Sequence, residues 1–233
     1  MAKSVLLIGA DTLLGREVRD RYAESGLAPR LQLATLEKDA AAVFAASEEE
    51  IEIVAAVDNA MLEDAVAIVA VNHATDALQR LQTAGVETPL IDLTGALSAN
   101  SAAVLRAPVF EAAPPASPVH LVPHPGAWLL AQFLNDLHAQ HPVKSAVVTL
   151  FEPASESGRP AIDELQKQTV ALLSFKAIPK TQYDAQLTFN ILPRTGEDAV
   201  VTLAGREARI AHELQQLSRS EERRVGKECR SRW

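Results

Sequence analysis

The residues best suited to chemistry stand at the start of the chain. Val5, Leu6, Leu7 and Ile8 run into Gly9, Ala10, Asp11, Thr12, Leu13, Leu14 and Gly15. This is the order strand, tight turn, helix. A glycine at position 9 lets the chain turn sharply, and one at position 15 lets the helix pack close to the sheet. The helix N-terminus then offers unpaired N–H groups to a pyrophosphate. The middle glycine of the usual pattern is Thr12 here, but a strand before the turn, a helix after it and a second strand beyond supply the required context. That second strand ends at Ala34, followed by Thr35, Leu36 and Glu37. An acidic side chain there accepts hydrogen bonds from ribose hydroxyls and disfavours a 2′-phosphate, which tilts NAD or NADP toward NAD. Glu37 beside Lys38 reads equally well as a solvated pair.

Other constellations carry less. The histidines are His73, His120, His124, His138, His141 and His212. His120 and His124 are separated by Pro123 and cannot share a regular helix face. His138 and His141 have the spacing of a metal pair but no thiol or acidic partner nearby, so no metal site is expected. His124, in a proline-rich loop, has the chemistry of a general base, while the default for the histidines is an exposed or capping position and for one in such a loop a structural role. Asp163 and Glu164 open an amphipathic helix, where negative charge suits the helix dipole. The single Cys229 excludes an internal disulfide.

The elements that must position these residues follow from periodicity. Strands are expected at 4–8, 31–34, 51–57, 65–71 and 89–93, with helices at 12–24, 39–46 and 74–84. The run 65–71 is apolar throughout and fits the centre of a parallel sheet. Strand–helix alternation implies right-handed crossovers and a Rossmann-type doubly wound α/β sheet. From 98 to 125 the texture changes to Ala, Pro and Ser, a rigid connection and a domain boundary. Beyond it, helices are expected at 128–137, 160–175 and 202–217, and strands at 144–151 and 187–192. The division is therefore a nucleotide-binding domain over 1–125 and an α+β domain over 126–218.

Composition narrows the class. With 48% hydrophobic and 22% charged residues the chain is that of a globular protein. A net charge of −8 argues against a general nucleic-acid binder. No run approaches the roughly 20 apolar residues of a membrane span. The N-terminus lacks the pattern of a leader, so a cytoplasmic protein is expected. Residues 219–233, RSEERRVGKECRSRW, break from the rest, with six basic residues against three acidic. The string reads as the translation of a short-read sequencing adapter rather than as a frayed basic helix end. It is expected to be a non-native tail that includes Cys229.

Four segments in order resemble the aspartate-semialdehyde dehydrogenase family. They are the turn Gly9–Gly15; Ile91-Asp92-Leu93-Thr94-Gly95-Ala96-Leu97-Ser98; Ser155 to Leu165 with Gly158; and Phe189-Asn190-Ile191-Leu192-Pro193. The resemblance implies an NAD(P)-dependent aldehyde oxidoreductase of amino-acid biosynthesis whose second domain binds substrate and forms a homodimer. It also implies cofactor contacts at Gly9, Asp11, Thr12, Leu13, Leu14, Gly15, Thr35, Glu37, Asn72 and Gly158. The same matching removes the chemistry. The family's nucleophilic cysteine falls at Ala127, in Val122-Pro123-His124-Pro125-Gly126-Ala127, and a methyl group cannot attack an aldehyde. The substrate-gripping arginine falls at Ser98, and the orienting glutamine at Glu152. The family histidine belongs to a later segment that this chain does not contain, so the resemblance implies that the α+β domain over 126–218 is incomplete. The expectation is a nucleotide-binding, dimerising relative without cysteine-dependent catalysis. An active dehydrogenase with another nucleophile is the alternative, and a truncated, functionless form is a third.

Overall fold

A computed structural model describes residues 4–36, 42–47, 50–63, 65–71, 88–111 and 117–225. The chain divides into two compact units: Met1–Pro108 with Ala113–Pro123, and Val109–Ala112 with His124–Trp233.

The first unit is a twisted sheet. Its elements are β1 (Ser4–Ile8), α1 (Leu13–Glu24), β2 (Leu31–Thr35), β3 (Ala42–Ser47), β4 (Glu50–Ala56), α2 (Asn59–Leu62), β5 (Ala65–Val69), β6 (Leu90–Asp92), β7 (Ala103–Leu105) and β8 (Val119–Leu121). The spatial order is β3-β4-β2-β1-β5-β6-β8-β7. Seven strands run parallel, and β3 joins the edge as the antiparallel arm of a hairpin with β4. This is the Rossmann-like α/β fold expected. The order reverses between β1 and β5, and open sheets of this kind bind ligands outside the strand C-termini at that point.

Alternation along β1 divides the core. Leu6 and Ile8 face one side with Ala67, Val69, Leu90, Leu97 and Val119. Leu7 faces the other with Val54 and Ala70, where Leu14 and Val18 of α1 cover it. Burial on both faces explains why the sequence of β5 carries no polar residue.

The structure departs from the sequence expectations in three places. Residues 42–47, expected within a helix over 39–46, pair as β3 with β4. Alanines favour a helix locally, but the hairpin contact decides the conformation. Within the stretch 98–125, expected to be connecting chain, β7 and β8 extend the parallel sheet. They are only three residues long, too short to leave a periodicity. Residues 144–151 and 187–192, expected as strands, form none. A β-prone segment becomes a strand only where another chain segment satisfies its N–H and C=O groups, and neither has such a partner among the described residues. Val147 is fully exposed and Phe189 sits at φ 53°, which interrupts any extended run. The helix expected at 74–84 lies outside the described residues.

The second unit is built on helices α3 (Pro125–Gln140), α4 (Arg159–Leu173) and α5 (Leu203–Val225). Small buried residues Ala127 and Ala131 lie on α3, which packs on α5. Helix α5 continues past Ser218 into the segment expected to be a non-native tail, and residues 226–233, including Cys229, lie outside the described residues.

Buried polar side chains on α4 hold the following loop in place. Gln168, fully buried, donates from Nε2 to the carbonyls of Pro179 (2.8 Å) and Ala185 (3.0 Å). Its Oε1 accepts from the N–H groups of Leu187 (2.7 Å) and Thr188 (3.1 Å). Glu164 accepts from the backbone of Thr181 and Gln182 and from the Thr181 hydroxyl. A single amide thus satisfies four backbone groups that no ladder serves. Replacing Gln168 with Leu strands them, at about 1–3 kcal/mol for each buried group left unpaired. Urea denaturation of Gln168→Leu is expected to show a loss of at least about 3 kcal/mol. A near-neutral result would mean the loop has another anchor.

Candidate functional site

The glycine turn of the first unit has the geometry its sequence demands. Gly9 adopts φ 88°, and a Cβ there would stand 2.7 Å from Val71 Cγ1 and 3.0 Å from the Ala70 carbonyl oxygen. A Cβ at Gly15 would overlap the carbonyl of Gly9, so α1 rests directly on the turn. Thr12, at the position of the missing glycine, is the N-cap of α1. Its Oγ1 accepts from the Gly15 N–H at 2.9 Å and lies 2.7 Å from the Ala70 carbonyl, to which its hydroxyl can donate. The threonine therefore ties the turn to the end of β5 while satisfying one of the orphan donors of the helix. Among the described residues no acceptor meets the N–H groups of Leu13 and Leu14. They are left at the positive end of α1, where an anion is favoured.

The fold brings Gly9, Asp11, Thr12, Leu13, Leu14 and Gly15 together at this turn, and Thr35 closes the neighbouring strand with its side chain buried. Glu37 and Asn72 lie outside the described residues. Ser98 is exposed in the same unit, on the loop after β6.

The remaining expected residues belong to the second unit. His124 is the N-cap of α3 and Pro125 its first residue, which puts Ala127, fully buried, in the first turn. The imidazole Nδ1 of His124 accepts the Gly126 N–H at 3.1 Å. The neutral ring therefore carries its proton on Nε2, which lies 3.3 Å from Oε1 of both Glu152 and Glu156. Neither contact reaches hydrogen-bond geometry. The lone pair a general base would use is spent on the helix cap.

Charges around this point are paired within the unit. Arg206 donates to Glu152 Oε2 and to Ser157 Oγ, both at 3.0 Å, and the Tyr183 hydroxyl reaches the same Ser157 oxygen at 3.1 Å. Glu213 accepts the His124 backbone N–H at 2.6 Å and is held by Arg209 at 2.7 Å. Glu152 and Arg206 also line a cavity of about 890 Å³ whose walls are mainly apolar, with Val148, Leu150, Leu187 and Ile210 among them. Gly158, at φ 78°, links the short 3-10 turn Ala154–Ser157 to α4. It caps that helix without a side chain. The sequence allowed His124 a capping or structural role beside that of a general base, but did not show which N–H group it would take. Histidine, proline and glycine ahead of an apolar run were the available signal.

The His124 ring beside it, and then the guanidinium charges of Arg206 and Arg209, hold the Glu156 carboxyl below its usual range against the opposing effect of burial. A carboxyl depressed on folding stabilises the protein above its unfolded pKa, and that contribution disappears as pH falls through the folded value. Chemical denaturation of Glu156→Gln against pH is expected to show a shallower loss of stability below about pH 4.5. An unchanged acid limb would remove Glu156 from the account. Separately, Thr12→Ala is expected to lower stability by about 1 kcal/mol, the usual worth of an N-cap, as read from the urea midpoint.

No protein-family profile matches the chain, and no curated protein matches it in sequence. Solved structures do match. Aspartate semialdehyde dehydrogenase II of Vibrio cholerae, in complex with ASA, superposes with a TM-score of 0.75 at 16% identity, over 95% of this chain and 67% of that one. A probable aspartate-semialdehyde dehydrogenase from Pseudomonas aeruginosa gives a TM-score of 0.74 at 26% identity, over 94% and 67%. The Francisella tularensis enzyme gives 0.66 at 14%, over 93% and 68%. The chain thus spans about two thirds of the length of these proteins and shares their fold at low sequence identity.

Proposed function

We propose that this relative of the aspartate-semialdehyde dehydrogenases binds a nicotinamide dinucleotide and pairs as a homodimer, without cysteine-dependent aldehyde oxidation. The observation that carries the reading is Ala127. It occupies the position matched to the family nucleophile, in the first turn of α3, and is fully buried. No atom of its side chain can form the covalent adduct that thiol chemistry needs.

The glycine turn supports the binding half of the proposal. A nicotinamide cofactor, when bound, supplies a hydride acceptor; the chain's own part is to hold it. The close approach of α1 to Gly9 sets the helix N-terminus at the turn, and the N–H groups of Leu13 and Leu14 are available as donors to a pyrophosphate. Glu37, following β2, favours NAD over NADP by its charge.

The alternative, an active NAD(P)-dependent oxidoreductase, needs another nucleophile. His124 is a poor one, because its Nδ1 is committed to the Gly126 N–H. Glu152, already paired with Arg206, adds negative charge at the position matched to the family's substrate-orienting glutamine. Calorimetric titration with NAD and NADP, followed by a reduction assay with aspartate semialdehyde and phosphate, tests both readings. Binding without turnover is expected. Sustained nicotinamide reduction would overturn the non-catalytic reading. Ala127→Cys alone is expected to restore no turnover, since Ser98 and Glu152 are unchanged.

A further inference from the structure

Asp92 is a buried acidic residue outside the glycine turn and outside the second unit's charge cluster. It ends β6, is fully buried, and its carboxylate receives four hydrogen bonds from the loop that follows. Oδ1 accepts the N–H of Thr94 (2.8 Å), the Thr94 hydroxyl (2.9 Å) and the N–H of Gly95 (3.0 Å). Oδ2 accepts the N–H of Leu97 at 2.7 Å. The loop is wound around this one charge, with Gly95 at φ 80° and the Leu97 side chain anchored in the core beside Leu6 and Ile8.

Register fixes where the loop lies. Asp92 pairs with Val69 on β5, and Val69 pairs with Ile8 on β1, the residue before Gly9. The loop after β6 therefore leaves the sheet at the same level as the glycine turn, two strands and roughly 10 Å away. A dinucleotide centred on that turn extends its adenosine toward β2, where the acidic residue follows. Its other half then extends toward β5 and β6.

We infer that Asp92 is a positioning residue: it presets the loop 93–98 as a wall for the nicotinamide–ribose half of the dinucleotide. This rests on the nucleotide-binding reading above. The N–H groups of Thr94, Gly95 and Leu97 are turned inward onto the carboxylate, so they are not offered to a phosphate. The pyrophosphate is left to Leu13 and Leu14, and the two loops divide the ligand between them. An amide at position 92 cannot keep this arrangement. Oδ1 and Oδ2 both accept N–H donors, so whichever way an asparagine faces, one of its own N–H groups meets a loop N–H.

The test compares NAD with ADP, which lacks the nicotinamide half, on the whole chain and on Asp92→Asn, with the fold monitored by circular dichroism. The expected result is a rise in the NAD dissociation constant of about tenfold or more, the worth of one hydrogen bond to a charged acceptor. ADP affinity stays within about twofold of the unsubstituted protein. Unchanged NAD affinity, or equal losses for NAD and ADP, overturns the inference, because a purely structural role weakens both. If the unsubstituted chain binds neither probe, the nucleotide reading itself fails, and the Asp92 role with it. Should Asp92→Asn not fold, Thr94→Ala decides. It removes one of the four donors, and a loss of about tenfold for NAD alone is expected, whereas no loss, or an equal loss for ADP, contradicts the proposal.

Discussion

The first unit depends on one contact, the absence of a side chain at Gly15 against the carbonyl of Gly9. Helix α1 sits as low on the sheet as it does because nothing intervenes. That position lets Leu14 and Val18 close the core over Leu7, and lets Thr12 reach both the helix and the end of β5. The same approach points the N-terminus of α1 at the crevice where the strand order reverses. Packing and ligand geometry are thus set together, and a methyl group at residue 15 would disturb both.

The second unit is organised by polar side chains. Glu164 and Gln168 hold the loop after α4, and His124, Glu213 and Arg209 link the first turn of α3 to α5. The Glu152 carboxylate is matched by Arg206 through one oxygen, and its other oxygen lies 3.3 Å from His124 Nε2. Buried ion pairs of this kind contribute little net stability but are costly to break singly. Apolar side chains such as Phe133, Phe151 and Ile191 remain on the surface of this unit.

What the sequence revealed depended on the range of the interactions involved. The turn at residues 9–15 was legible because strand, glycine and helix are consecutive and each element constrains the next. β5 was legible because burial on both faces leaves only apolar residues. β3 was not: its alanines favour a helix until β4 supplies a ladder partner. β7 and β8 were hidden by proline-rich flanks and a length of three residues. The strands expected at 144–151 and 187–192 show the converse, since β-prone composition does not supply the second strand that a sheet requires. At the candidate site, Ala127, Glu152 and Ser98 were visible as residue types at matched positions. The cap formed by His124 and the four donors on Asp92 were not, because backbone N–H groups leave no mark in a sequence.

The most direct test of the account is an amide NMR titration of the chain with NAD, followed by addition of aspartate semialdehyde and phosphate. The Leu13 and Leu14 amides are expected to shift as NAD is added, and the shifted spectrum to persist after the aldehyde with no reduced cofactor formed. Amides at the glycine turn that do not respond to NAD, or conversion of the bound NAD to its reduced form, would contradict it.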